Sequence, residues 1–182
     1  MIQIQSYDPN WPGQFLSLRS MLQGCLGSLA QRIEHVGSTS IPGLDAKAVI
    51  DIDVVVQQKD KPAAILALKT LGYEPLGDLG IPQREAFAAA PGPIKHNLYL
   101  CPPESQALAN HLAIRDYLRK HPEQVQVYGA LKRRLAREHA QDMDAYIQGK
   151  SDFLLQILAD CGFDESELAA IRIMNKNGGQ GP

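Results

Sequence analysis

A chain of 182 residues, 45% hydrophobic and 21% charged, has the length and apolar content to bury one sizeable core. Its formal net charge of −2 gives no global attraction to nucleic acid or an anionic membrane. Three scattered cysteines (Cys25, Cys101 and Cys161) disfavour a disulfide framework and a zinc site, and no apolar run approaches the roughly 18 residues of a membrane span.

Taken in chain order, IQIQSY alternates and predicts a short edge strand. Asn10 is expected to cap a helix with Pro12 in its first turn. Trp11, Phe15, Leu18, Leu22, Cys25 or Leu26, and Leu29 then recur at steps of three and four. RIEHVG predicts a strand, GSTSIPGLDAK a loop, and AVIDIDVVV the strongest strand of the chain. KPAAILALKTLG predicts a helix closed by Gly72. YEPLG and REAFAAA lead through PGP to KHNLYLC, an expected antiparallel hairpin. From Ser105 onward the pattern is helical: SQALANHLAIRDYLRKH stops near Pro122, PEQVQVYGALKRRLAREHA starts there, MDAYIQGKSDFLLQILADCG closes at Gly162, and DESELAAIRIMN is a short fourth. Strands with interspersed helices followed by helices alone predict an α+β fold. One domain is expected over residues 1–174, with 175–182 a disordered tail. The amino-terminal MIQIQSYDPNWPGQF lacks the features of a signal peptide, so a cytoplasmic protein with reduced thiols is expected.

Two carboxylates interrupt the strongest strand. In a β-strand alternate side chains share a face, so Asp51 and Asp53 project together, with Cα atoms roughly 6–7 Å apart. Ile50, Ile52 and Val54 take the opposite face. Like charges side by side repel, and a hard divalent cation removes the conflict, because Mg2+ combines a few carboxylate oxygens with water and phosphate oxygens. That arrangement suits phosphoryl and nucleotidyl transfer. Gly37, Ser38 and Thr39 follow a predicted strand, where a tight turn with exposed N–H and hydroxyl groups can cradle a phosphate. A pair of carboxylates held by internal donors and an ordinary turn are the structural alternatives.

Gly37-Ser38, twelve intervening residues and Asp51-Ile52-Asp53 resemble the glycine-serine to DxD signature of the DNA polymerase beta-like nucleotidyltransferase superfamily. IEHVGSTSIPGLDAKAVIDIDVVV resembles more specifically the hallmark of the GrpB family within it. YDPNWPGQF, LGYEPLGDLGIPQREAF, HLAIRDYLRKHPE, YGALKRRLA and YIQGKSDFL look like further blocks of that family, in the family's order. The resemblance implies a mixed sheet with helices mainly on one side, the DxD strand in its centre, and C-terminal helices closing a cleft. It also implies Mg2+ or Mn2+ at Asp51 and Asp53, a nucleoside triphosphate, and a hydroxyl or phosphate acceptor. Enzymes of the superfamily usually carry a third carboxylate on a later strand. KHNLYLC is the matching strand here, and it offers His96 or Asn97 instead, with His96 the candidate third catalytic member. A non-catalytic nucleotide-binding or regulatory domain is the alternative.

Further candidates come from spacing. His111 and Arg115 lie four apart on one predicted helix, Tyr128 and Lys132 on the next, Tyr146 and Lys150 on the third. An aromatic ring beside a cation suits a base and a phosphate. Lys47 and Arg84 are further candidate phosphate contacts. For Lys132 the competing reading is a solvated basic face with Arg133 and Arg134, and His35 reads as a prop for the loop.

Overall fold

A computed structural model describes residues 1–88, 90 and 92–177. Five strands, β1 (Arg32–Val36), β2 (Ile50–Val55), β3 (Glu74–Gly77), β4 (Glu85–Ala88) and β5 (His96–Cys101), form one sheet in the order β1-β2-β5-β4-β3. β2 and β5 run parallel, and the other three pairs are antiparallel. The expected α+β class therefore holds, with a mixed sheet. The DxD strand β2 is an interior strand, but the middle position belongs to β5. The expected edge strand at IQIQSY reduces to a single bridge between Gln5 and Ala46.

Alternation along the strands divides the molecule into two layers. Ile33 of β1, Ile50, Ile52 and Val54 of β2, Phe87 of β4, and Leu98 and Leu100 of β5 face one side. Two helices cover that side, α1 (Trp11–Leu26) and α2 (Lys61–Thr70). Trp11, Phe15, Leu18, Leu22 and Leu26 form the buried stripe of α1. Pro12 stands in its first turn, where its missing N–H is no loss. Asn10 occupies the cap position, but its side chain makes no capping hydrogen bond. Each fully buried leucine or isoleucine of this core contributes about 1.5–3 kcal/mol.

The carboxylate-bearing face is closed by helices that follow the sheet in sequence. These are α3 (Gln106–Lys120), α4 (Pro122–Glu138), α5 (Met143–Asp160) and α6 (Glu165–Asn177). Ser105 caps α3 by accepting from the Leu108 N–H, and Asp142 caps α5 by accepting from the Ala145 N–H. Leu108 and Leu112 of α3 pack on Val55 and Cys101, while α4 and α5 pack over the loop that follows β1 through Ile41, Leu44, Val125, Tyr128 and Ile157. A side chain on Gly149 of α5 would run into Leu135 of α4, so glycine sets the close approach of these helices. Of the stretch expected to be a tail, 175–177 continue α6, and 178–182 lie outside the described residues. Among the described residues no helix is long and apolar enough to cross a membrane.

Candidate functional site

Strand register builds the floor of a cavity. Asp51 stands between Val36 of β1 and Asn97 of β5, and Asp53 stands between Glu34 and Tyr99. Asn97 Nδ2 donates to Asp51 Oδ1 at 2.8 Å. Burial pushes the Asp51 carboxyl above its usual range, while the Asn97 hydrogen bond and the charges of His111 and Lys47 pull it back. Asp53 is 1% exposed, and its Oδ2 lies 2.8 Å from His111 Nδ1. Its other oxygen, Oδ1, is buried without a partner among the described residues. Burial lowers the His111 pKa, but the charge and hydrogen bond of Asp53, aided by Asp51, outweigh it and leave the pKa raised.

The turn after β1 presses on this floor. Gly37 has φ 68° and ψ −174°. A Cβ at Gly37 would overlap the Asp51 carboxylate. Only glycine combines that backbone with that approach. Inside the turn, the Thr39 hydroxyl donates to the Val49 carbonyl (3.1 Å) and accepts from His35 Nε2 (3.1 Å). Burial, then Arg119 and Arg115, lowers His35 to about 4, so this histidine is a neutral prop, stacked on Phe15. Arg119 donates through Nε and Nη2 to the Ser40 carbonyl at 3.0 and 2.8 Å.

Two lysines, Lys132 buried and Lys150 half-buried, form the opposite wall. Lys132 is 2% exposed, its ammonium lies 4.7 Å from the Tyr128 ring centre, and Nζ has no hydrogen-bond partner among the described residues. The Lys150 ammonium lies 4.4 Å from the Tyr146 ring centre. Burial drives the Lys132 pKa well down, with Lys150 adding repulsion. Burial, then Lys47, lowers Lys150 to about 8. Burial raises the Tyr128 hydroxyl, with Ser38 opposing. On the far side Arg84, from the segment before β4, lies over the Tyr99 ring.

The cavity between the sheet and these helices, open at its mouth, is about 260 Å3. Most of the sequence candidates meet in it: Gly37, Ser38, Lys47 and Asp51 on the sheet side, Tyr128, Lys132 and Lys150 on the helices, and Arg84 at one end. Asp53 lies behind His111, which does line the cavity. Three expectations need correction. His96 pairs with Ile50 and so faces the α1/α2 core, donating through Nδ1 to the Ile94 carbonyl (2.8 Å) and accepting at Nε2 from the Tyr73 hydroxyl (2.7 Å). Asn97, not His96, faces the carboxylate pair. Thr39 borders the cavity, but its hydroxyl is committed inward. Arg115 also borders it, yet its guanidinium is tied to Glu34 (2.8 Å), Asp116 (2.7 Å) and the His35 carbonyl (3.2 Å). The basic triplet after Leu131 divides as well. Lys132 points inward, Arg133 pairs with Asp45, and Arg134 is exposed.

What the site can hold follows from its charge. Lys47, Lys132, Lys150 and Arg84 line it, and among the described residues none forms an ion pair with a carboxylate. Arg84 and Lys132 are buried and Lys47 and Lys150 half-buried, and such cations without partners favour an anion. The donor set also fits one Mg2+: two carboxylates share a face, and the buried Asp53 Oδ1 has no partner. Among the described residues no group of three or more His, Cys, Asp or Glu could hold a metal ion. A cation here would therefore complete its shell with oxygens of its ligand and water.

The family model described as GrpB protein matches residues 1–160. The UPF0157 protein YqkA of Bacillus subtilis is 32% identical over 154 residues, covering 84% of this chain and 45% of that protein. A UPF0157 protein of Pseudomonas aeruginosa is 35% identical over 162 residues, covering 86% of this chain and 66% of that protein. The chain thus spans about half to two-thirds of the length of these curated relatives. The crystal structure of conserved protein GrpB from Enterococcus faecalis aligns with a TM-score of 0.78 at 30% identity, covering 93% of this chain and 99% of that one.

Proposed function

The chain belongs to the GrpB family, and from that premise we propose that it is a Mg2+-dependent nucleotidyltransferase. Its substrates would be a nucleoside triphosphate and a hydroxyl- or phosphate-bearing acceptor. The observation that carries this reading is the cavity's charge: a lining carboxylate, Asp51, and a glycine-serine turn beneath lysines that form no ion pair among the described residues, with Asp53 on the same strand face behind His111. The acceptor oxygen would bond to the α-phosphorus, the α–β phosphoanhydride would break, and pyrophosphate would leave with the electron pair. Lys47, Lys132 and Lys150 would hold the triphosphate oxygens and stabilise the departing charge. At about 260 Å3 the cavity suits the phosphate chain, with the base toward its mouth. With Nδ1–H donated to Asp53, His111 in its neutral form would take the acceptor's proton at Nε2. Mg2+ held by Asp51 and Asp53 would neutralise charge on the reacting phosphates. Three unpaired thiols, Cys25, Cys101 and Cys161, suit a reducing cytoplasm.

A second reading, nucleotide binding without turnover, is favoured by one observation. Asn97 and Tyr99 occupy the β5 positions facing Asp51 and Asp53, where a third carboxylate would stand. Incubation with each labelled triphosphate and Mg2+ separates the readings. Pyrophosphate release that is lost in Asp51→Asn and Asp53→Asn supports transfer. Release unaffected by both substitutions sinks the assigned roles, and binding without release in the unaltered protein selects the second reading.

A further inference from the structure

Arg84 carries a charge that the fold does not pair. The residue is 2% exposed, and among the described residues its guanidinium makes one long hydrogen bond, from Nη2 to the Asp78 carbonyl at 3.4 Å. Nε is buried without a partner. Its guanidinium carbon lies 4.5 Å from the centre of the Tyr99 ring. Tyr99 is itself 4% exposed, and its hydroxyl is likewise buried without a partner. Arg84 stands two residues before Ala86, which pairs with Tyr99, so both side chains belong to the carboxylate-bearing face and both line the cavity. The segment is fixed from outside by Lys61 Nζ, which donates to the Gln83 carbonyl at 3.3 Å. Asp53 lies near enough to favour the Arg84 charge, but its Oδ2 is engaged by His111.

The cations fall into two groups around the acid pair. Lys132 and Lys150 stand on α4 and α5 over the Tyr128 and Tyr146 rings, whereas Arg84 lies over Tyr99, the register partner of Asp53. Asp51 and Asp53, successive same-face positions of β2, have Cα atoms roughly 6–7 Å apart. An in-line displacement needs the attacking group opposite the leaving group. With the leaving phosphates at the lysines, the incoming substrate lies toward Arg84. We propose that Arg84 and Tyr99 form an oxyanion subsite for the second substrate, so that the acceptor is a small molecule carrying a phosphate or carboxylate group. This assignment rests on the two-substrate reading of the same cavity. A planar guanidinium offering parallel donors and a phenolic O–H are suited to such a group.

The test is calorimetric titration of inorganic phosphate and, in a separate arm, acetate. Each is titrated into the free protein and into protein saturated with Mg2+ and an α,β-methylene nucleoside triphosphate analogue. One of the two oxyanions is expected to bind in both states, and the arm that responds identifies its class. Tyr99→Phe removes only a hydroxyl without a partner, so the fold is not at risk. It should weaken oxyanion binding by about 10-fold, and Arg84→Gln by about 30-fold or more, with analogue affinity held within about twofold. Oxyanion affinity unchanged in both variants would overturn the subsite. So would the absence of oxyanion binding to the unaltered protein, or a loss of analogue affinity that parallels the oxyanion loss. If the analogue fails to bind but phosphate or acetate still requires Arg84 and Tyr99, the subsite stands and the transfer reading falls.

Discussion

Replacing Gly37 with alanine isolates the contact on which the site's geometry depends. At φ 68° and ψ −174° the residue occupies a region that is essentially restricted to glycine, and an alanine there costs about 1–3 kcal/mol. The added methyl would also overlap the Asp51 carboxylate. Moving that carboxylate breaks its 2.8 Å hydrogen bond from Asn97, a charge-assisted contact worth about 1.5–3 kcal/mol. Together these give a loss of about 2.5–6 kcal/mol, or about 5–24 °C in Tm for a chain of this size. Gly43→Ala is the matched control. It too has a positive φ, 77°, but a Cβ there meets nothing within 4 Å, so only a backbone cost of about 1–2 kcal/mol applies. Urea unfolding of both variants, followed by circular dichroism, measures the difference. Equal destabilisation of the two would refute the assigned contact between the turn and Asp51.

Lys132→Met should stabilise the protein at pH 7 by about 1–3 kcal/mol, since a buried unpaired ammonium is removed, and should weaken triphosphate binding at least about 10-fold; urea midpoints and calorimetry check the two effects. His35 is 7% exposed, and its folded pKa of about 4 lies below the ordinary 6.5, so unfolding takes up a proton between those values. Stability should therefore fall as pH drops through that window, by about 3 kcal/mol at the lower end, and His35→Gln should flatten the fall in urea midpoint. Asn97→Asp would set a third carboxylate against Asp51. It should lower Tm in EDTA, at a cost of about 1–3 kcal/mol, and Mg2+ should recover most of the loss. A Tm indifferent to Mg2+ in that variant would contradict the metal assignment.

Much of the site was legible because its residues obey local periodicity. Ile50, Ile52 and Val54 alternate with Asp51 and Asp53, so the division of β2 into a core face and a polar face followed from spacing alone. The choice between His96 and Asn97 did not. Their opposite facing is local, but which of them meets Asp51 depends on the register of β5 against β2, a pairing 46 residues apart in sequence. The insertion of β5 between β2 and β4 is long-range in the same way. Tyr99 was missed, although it shares a face with Asn97 and follows from the same register. Lys132 is a candidate from its spacing to Tyr128, but the sequence also allows a solvated basic face with Arg133 and Arg134. The signal for its burial was its place on the stripe Val125, Tyr128, Lys132 and Leu135, which is otherwise apolar at steps of three and four. Arg115 resembled a ligand contact because its spacing from His111 shows a shared helix face without showing what lies opposite it. Arg115 meets the His35 carbonyl and Glu34 there.

The central claim is that one cavity takes a triphosphate together with Mg2+. Ligand that binds only the folded state raises Tm, by about 2.7 kcal/mol of apparent stability at a hundred times Kd. A thermal-shift panel of Mg2+ alone, each triphosphate alone and each pair should show a rise that requires both for at least one triphosphate, and that is lost in Asp51→Asn and in Lys132→Met. No rise with any pair, or a rise undiminished in both variants, would contradict it.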